Sequence, residues 1–139
     1  MSQQTKMEGH VTALLMAQDA FKDDRKRSHI HGIFDSLGAS TFPVTIPFVV
    51  YCRLVGQGTH TVLVRIIDSL EEVLVKTDAL SVEVTFSKGH ELFLQLAVQF
   101  KAQGLYKVQA FVDGIPQLEV PLYVRHVSPP QASPGQTRP

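Results

Sequence analysis

The sequence predicts an all-β protein, built as one antiparallel β-sandwich of about eight or nine short strands. Apolar and polar residues alternate with the period of two that a strand with one buried face requires. Turn-forming or strand-breaking residues such as Gly38, Pro43 and Lys88-Gly89 recur about every ten residues. Long helical periods are missing from the sequence, which argues against a parallel α/β sheet. A jelly roll or a small barrel is the alternative architecture.

The first half of the chain contains five segments with strand-like composition, separated by turn residues. Asp23-Asp24, Gly38 and Gly56-Gln57-Gly58 are the clearest of these breaks. The charged run Lys22–Arg27 is expected to cap a hairpin and to discourage pairing at its edge. We therefore predict strands over Val11–Gln18, Ser28–Ser36, Phe48–Val55 and His60–Asp68, followed by a short strand over Glu72–Lys76.

The second half shows the alternation most clearly. From Leu80 to Phe86 every second residue is apolar and the residues between them are polar, which predicts a strand with one wet face. The same pattern predicts another strand over Leu92–Phe100. Because Leu, Gln and Ala are good helix formers, a helix over Glu91–Phe100 is the alternative for that segment.

The last predicted element is a hairpin over Leu105–Arg125. Its turn is Asp113-Gly114, a dipeptide that suits the positive φ angles of a tight hairpin turn. Pro116 and Pro121 have no amide hydrogen to donate to a ladder. We therefore expect the final strand at a sheet edge, or with these two positions facing solvent.

Length and composition indicate one globular domain. The chain has 139 residues, of which 44% are hydrophobic and 19% charged, enough to build one real core. We assign the β-sandwich domain to residues 10–127. Residues 1–9 are predicted to form a flexible leader. Residues 128–139 are predicted to form a disordered, proline-rich tail, because that segment has little apolar surface to bury.

The charge balance and the cysteine count restrict partners and location. Thirteen Lys and Arg balance thirteen Asp and Glu, so no overall field attracts a polyanion, and nucleic acid is not expected as a partner. Cys52 is the only cysteine, which excludes an intrachain disulfide and favours the cytoplasm. The first nine residues lack the apolar core of a signal peptide and no stretch is long enough to span a membrane, so no membrane partner is expected.

Two groups of residues resemble known proteins. The segment Gly104-Leu105-Tyr106, with the Asp113-Gly114 turn and the strand after it, resembles the last two strands of an immunoglobulin-like sandwich. This resemblance implies an immunoglobulin-like arrangement, in which the Tyr106 hydroxyl bonds back to nearby backbone as a structural corner.

The run His31-Gly32-Ile33-Phe34-Asp35, followed by Phe42-Pro43 and the strand Phe48–Leu54, resembles a family of small bacterial proteins with no assigned activity. The likeness covers most of Val11–Val127. It implies a compact β-sandwich and supplies no catalytic residues.

Candidates for chemistry are few. His29 and His31 stand two apart, which on a strand places both imidazoles on one face about 7 Å apart, and Asp35 lies further along that face. A metal site usually needs three or four convergent ligands, so these three residues are only weak candidates. Cys52 lies on the face that we expect to be buried, where a thiol is a poor nucleophile. The sequence predicts no catalytic residue and no cofactor.

Several strands have apolar residues on the face that alternation assigns to solvent. Two interpretations are open: loops or a short helix cover this face, or it contacts another copy or a different protein. The apolar residues are Val49, Tyr51, Val55, Phe93, Ala97, Phe111 and Tyr123, of which Tyr51, Phe93, Phe111 and Tyr123 are the candidates for an interaction surface.

The functional hypothesis is a non-catalytic β-sandwich that acts through protein–protein contacts, as a homo-oligomer or as an accessory subunit of a bacterial complex. The mechanism would be burial of an apolar face or strand addition at an edge. The first alternative is a module that binds a small ligand such as a carbohydrate. The second is a metal-dependent enzyme that uses His29 and His31.

Overall fold

A computed structural model of the chain describes residues 9–128. The remainder of the predicted leader and of the predicted tail lies outside these residues, but Gly9, which we assigned to the leader, begins a strand. The described residues form the strands β1 (Gly9–Lys22), β2 (Ser28–Phe34), β3 (Ser36–Ala39), β4 (Val44–Gly56), β5 (Gly58–Ile67), β6 (Val73–Lys76), β7 (Leu80–Val84), β8 (His90–Phe100), β9 (Gly104–Val112) and β10 (Ile115–His126).

The strands form two sheets. The four-stranded sheet has the order β2-β1-β4-β8, and the six-stranded sheet has the order β3-β10-β9-β5-β6, with β7 also pairing with β5. The all-β class is therefore confirmed. The sheets do not close on each other, so the alternative of a small barrel is wrong. The expectation of purely antiparallel pairing is also wrong, because β3 and β10 run parallel.

One core lies between the two sheets. On β4 the buried inward residues are those that alternation assigned to the core: Phe48, Val50, Cys52 and Leu54. The six-stranded sheet contributes the buried residues Val62, Val64, Ile66, Val108, Ala110, Val112, Leu122 and Val124. Small and branched apolar side chains on both inner faces explain how two sheets can share a dry interior.

The segment His90–Phe100 is a strand and not a helix. It pairs antiparallel with β4 without a register shift, from Leu54 opposite His90 to Val44 opposite Phe100. Continuous pairing over this length outweighs the helix propensity of its Leu, Gln and Ala residues. No helix within residues 9–128 is long and apolar enough to cross a membrane.

Strand β3 is an element that alternation did not predict. The expected strand Ser28–Ser36 ends at Phe34, and Ser36–Ala39 instead joins the other sheet beside β10. Four residues that include Gly38 are too short to show a period of two. This crossing from one sheet to the other places β2 and β3 in different layers.

The prolines of β10 mark the part of this strand that β3 does not cover. β3 pairs only with Tyr123–His126, and the Tyr123 amide donates to the Asp35 carbonyl on that side, at 2.9 Å. Alternation places the Pro121 nitrogen on the same side, just before the β3 pairing begins. The expected edge position is therefore correct for the first part of β10 and wrong for its last residues.

The Tyr106 corner is present. The Tyr106 hydroxyl donates a hydrogen bond to the Ala102 carbonyl at 2.5 Å, while the ring packs edge-on against Phe100 in the core. This bond ties the loop before β9 to the core, as the resemblance implied.

The outer face of the four-stranded sheet is covered by the chain's own first hairpin. The β1–β4 ladder ends at Ala17 opposite Val49, whereas β1 and β2 remain paired as far as Lys22 opposite Ser28. The tip of this hairpin reaches Glu91 on β8: Ser28 Oγ donates to its carboxylate at 2.6 Å, and Lys22 Nζ lies 3.2 Å from it. A hairpin, and not a loop or a helix, therefore lies over this apolar face.

Glu91 is the centre of this closure. It also accepts a hydrogen bond from the Tyr51 hydroxyl, which belongs to the outer face of β4. Burial raises the pKa of Glu91, but the bonds from Ser28 and Tyr51 and the Lys22 ammonium outweigh it and hold the pKa below its ordinary value. Burial and the Glu91 carboxylate raise the pKa of the Tyr51 hydroxyl, which stays a donor.

Removing the Glu91 carboxylate should lower the stability of the fold. Glu91→Ala deletes the acceptor of two hydrogen bonds and the partner of Lys22. Because Glu91 is partly exposed, we expect the free energy of unfolding in urea to fall by about 2 kcal/mol. Glu83→Ala, which removes an exposed carboxylate on β7, is the matched control and should change it by less than about 0.5 kcal/mol. Equal losses in the two variants would contradict this role for Glu91.

Candidate functional site

The four residues predicted for an interaction surface do not form one patch. Tyr51 is only 6% exposed, so its assignment to a surface is wrong: the hairpin over β4 covers it. Phe93 is half-buried and packs against Tyr51, with 5.4 Å between ring centroids. Phe111 and Tyr123 lie on the outer face of the other sheet, where Phe111 is half-buried and Tyr123 is 48% exposed.

The histidines of β2 belong to the hairpin tip. His29 stacks on Phe21 with 5.0 Å between centroids, and His31 packs edge-on against both rings. His29 Nε2 lies 2.7 Å from an Asp23 carboxylate oxygen. The rings of His29 and His31 are 6.1 Å apart, close to the expected spacing.

Asp23 organises the turn that carries these rings. Its carboxylate accepts hydrogen bonds from the Arg25 and Arg27 amides and from Arg27 Nε. The Arg27 amide, followed by His29, lowers the Asp23 pKa to about 2. In the described part of the chain no three His, Cys, Asp or Glu residues are grouped to hold a metal ion. His29, His31 and Asp35 therefore do not form a three-ligand site.

Cys52 lies where alternation placed it. The thiol is fully buried in the core, and burial raises its pKa to about 11. A thiol in this environment is not ionised at neutral pH, so Cys52 is unsuited to nucleophilic catalysis.

An ion pair between a buried histidine and a half-exposed aspartate joins β5 to the final hairpin. His60 is only 3% exposed, and its two ring nitrogens lie 2.7 Å from Asp113 Oδ2 and 2.8 Å from the Gln57 carbonyl. A carboxylate and a carbonyl can only accept, so both nitrogens must donate and the imidazole is protonated. Asp113 also accepts from the Thr61 amide at 2.9 Å. These contacts hold the Asp113-Gly114 turn, whose residues have φ angles of 53° and 79°.

Sequence reasoning missed this pair because its members are 53 positions apart. The Asp113 carboxylate raises the pKa of His60 against the opposing effect of burial, and His60 lowers the pKa of Asp113. Gly9 permits β1 to close over the imidazole, since a Cβ at that position would lie 3.0 Å from the ring. The arrangement ties β5 to the final hairpin and stabilises the fold.

A candidate recognition element is the free edge of β8. This strand is the last in the order β2-β1-β4-β8, and within residues 9–128 β4 is the only strand that pairs with it. Every second residue of such a strand directs its amide and carbonyl away from its neighbour. Along its eleven residues β8 therefore presents a row of unpaired backbone groups.

Three features that often guard an edge strand, namely Pro, Lys and a bulge, are missing from β8. The segment HELFLQLAVQF contains neither Pro nor Lys, and its continuous register with β4 shows no bulge. Its single carboxylate, Glu91, is engaged by the hairpin tip. Leu92, Leu94 and Leu96 face the core but are only partly buried, because nothing in the described residues extends the sheet beyond them.

The comparisons with known proteins provide a family and a fold. A model described as "Family of unknown function (DUF6941)" matches residues 12–125. No curated protein matches the chain.

Solved structures that are similar to the chain include the following two. A structure of the Pseudomonas fluorescens alkylpurine DNA glycosylase AlkC, bound to DNA containing an abasic site analog, matches with a TM-score of 0.56 and 11% identity, over 86% of this chain and 31% of that one. The CARDB domain of the Pyrococcus furiosus PF1109 protein, in complex with di-metal ions, matches with a TM-score of 0.44 and 13% identity, over 83% of this chain and 94% of that one. At such identities the glycosylase match supports the fold and nothing further.

The His60–Asp113 pair predicts a specific dependence of stability on pH. The His60 pKa is raised in the folded state, so its stabilising contribution is complete below its ordinary pKa of 6.5 and is lost as pH rises through the folded value. Because Asp113 is half exposed, we expect the free energy of unfolding, measured in urea, to fall by only about 1 kcal/mol between pH 6 and pH 9.

Asp113→Asn tests this assignment. Asn tolerates the positive φ of the turn but carries no charge, so the variant should be less stable at pH 6 and should lose less stability as pH rises. A wild-type protein that becomes more stable above pH 6.5, or an Asn variant with the same pH profile as the wild type, would contradict the ion pair.

Proposed function

The chain belongs to the family of unknown function DUF6941, and from its own geometry we propose a non-catalytic interaction module that pairs with a second copy of itself through the free edge of β8. The observation that carries this proposal is an edge strand of eleven residues that is largely apolar, continuous in register, and free of Pro and Lys. Such an edge is a template for main-chain pairing with another strand.

We further propose that the two sheets form an immunoglobulin-like sandwich. The corner bond from Tyr106 to Ala102 supports this arrangement, as does the single core shared by the two sheets. The single buried Cys52 supports a cytoplasmic location, where thiols stay reduced.

The sequence of β8 is self-complementary in antiparallel pairing. With a two-fold axis at Gln95, Leu94 faces Leu96 of the other copy, and Phe93 faces Ala97, a large side chain opposite a small one. Glu91 faces Gln99, so no like charges lie opposite each other. A two-fold axis makes both copies use the same surface, which closes the interface at a dimer.

Pairing of this kind also covers the partly buried leucines of β8. Leu92, Leu94 and Leu96 point toward the core but remain accessible from the side of the open edge. A second β8 would continue the sheet to eight strands and remove part of this apolar surface from water. Main-chain bonds and apolar burial would therefore act together.

Gln95→Lys should weaken the dimer. In the proposed register it places two ammonium groups opposite each other at the two-fold axis, and we expect the dissociation constant to rise at least about fivefold. Gln95 is exposed, so the variant should remain folded. Sedimentation velocity over a concentration series measures the effect.

Gln99→Lys is the matched control, because it adds the same charge to the same strand but faces Glu91 of the other copy. Its dissociation constant should stay within about twofold of the wild type. A wild-type chain that remains monomeric at all accessible concentrations would overturn self-pairing. Association that both variants weaken equally would place the interface elsewhere.

A further inference from the structure

A cavity of about 360 Å³ lies on the outer face of the six-stranded sheet, and none of its lining residues belongs to β8. It opens where β5, β6 and the turn between β9 and β10 meet. Apolar side chains form part of its wall, and two cationic side chains also line it. The lining residues are Thr61, Leu63, Arg65, Lys76, Ala79, Phe111 and Gly114.

The two cations occupy an unusual position. Arg65 on β5 is the direct cross-strand partner of Lys76 on β6. Like charges directly opposite each other on a sheet are destabilising. The lining contains no carboxylate, and none of the carboxylates in residues 9–128 makes an ion pair with either cation. Neither cation therefore has an ion-pair partner within residues 9–128, and the Asp113 carboxylate, which bonds to the lining residue Thr61, is already paired with His60.

The Arg65 side chain is held in one orientation. Its guanidinium carbon lies 4.9 Å from the centroid of the Phe111 ring, over the ring face, a favourable cation–π contact. Arg65 Nε donates to Gln109 Oε1 at 2.7 Å. The Gln109 amide is fixed in turn, since its Nε2 donates to Glu119 at 2.8 Å. Arg65 is thus positioned before any ligand arrives.

The terminal nitrogens of Arg65 are left for a ligand. Among the described residues, Arg65 donates its side-chain hydrogen bond through Nε alone. The two Nη groups then present parallel N–H donors, the geometry that matches the two oxygens of a carboxylate or phosphate. Lys76 supplies a second positive charge beside them.

We propose that this cavity binds a small ligand through an oxyanion group, a carboxylate or a phosphate, held by Arg65 and Lys76. An apolar body on the ligand rests against Leu63 and Ala79. The negative charge of the ligand reduces the repulsion between Arg65 and Lys76. Binding therefore offsets a destabilising contact of the folded chain. The site lies on the other sheet from β8 and is independent of the proposed self-pairing.

The test uses three probes on the full chain labelled with ¹⁵N: sodium benzoate, inorganic phosphate and uncharged benzamide. The Arg65 Nε–Hε resonance is followed by NMR at constant ionic strength. We expect saturable shifts with benzoate, with phosphate or with both, and none with benzamide. Saturation by benzoate alone identifies a carboxylate ligand, and saturation by phosphate alone identifies a phosphate ligand.

Variants separate a defined site from general surface charge. Arg65→Lys keeps the charge and loses the paired donors, and it should weaken binding at least about tenfold, read from backbone amides of the cavity such as Gly114. Lys76→Gln should also weaken it. Arg125→Gln, which removes an exposed cation from the same sheet, should leave binding unchanged. Shifts that do not saturate, that appear equally with benzamide, or that survive Arg65→Lys would overturn the proposal.

Discussion

The rest of the structure depends on the burial of β4 on both of its faces. Its inward residues, such as Val50 and Leu54, form the core with the other sheet, while Val49 and Tyr51 on its outward face are buried as well. The second burial requires the first hairpin to extend past its ladder with β4 and to close at Glu91. Strand β4 pairs with β1 along one edge and with β8 along the other, and β8 is the last strand of the sheet on that side.

Alternation and turn chemistry were sufficient for most of the fold because these signals are local. They placed Cys52 in the core and Asp113-Gly114 at the final turn. The corner role of Tyr106 came instead from the resemblance to an immunoglobulin-like sandwich. These local signals failed where contacts between distant segments determine whether a residue is buried or paired. Tyr51 seemed exposed because a period of two cannot show a hairpin folding over a sheet, and His60 seemed unremarkable because its partner is distant in sequence.

The candidate sites could likewise be predicted only where the signal is local. An apolar second face was visible in the sequence, but the residues that seemed to define it are divided between two sheets, and Val49 and Tyr51 are buried. The free edge of β8 arises from strand order, and the cavity at Arg65 arises from the register of β5 with β6. Neither sheet order nor register can be read from a single sequence without the fold, because both depend on pairings between distant segments.

Hydrogen exchange along β8, recorded at low and at high protein concentration, tests self-pairing most directly. Alternate β8 amides, those directed away from β4, should exchange rapidly in dilute protein and become protected as concentration rises. The amides bonded to β4 should be protected throughout. If the outward amides exchange at the same rapid rate at every concentration, β8 does not pair with another copy and the account of the free edge is wrong.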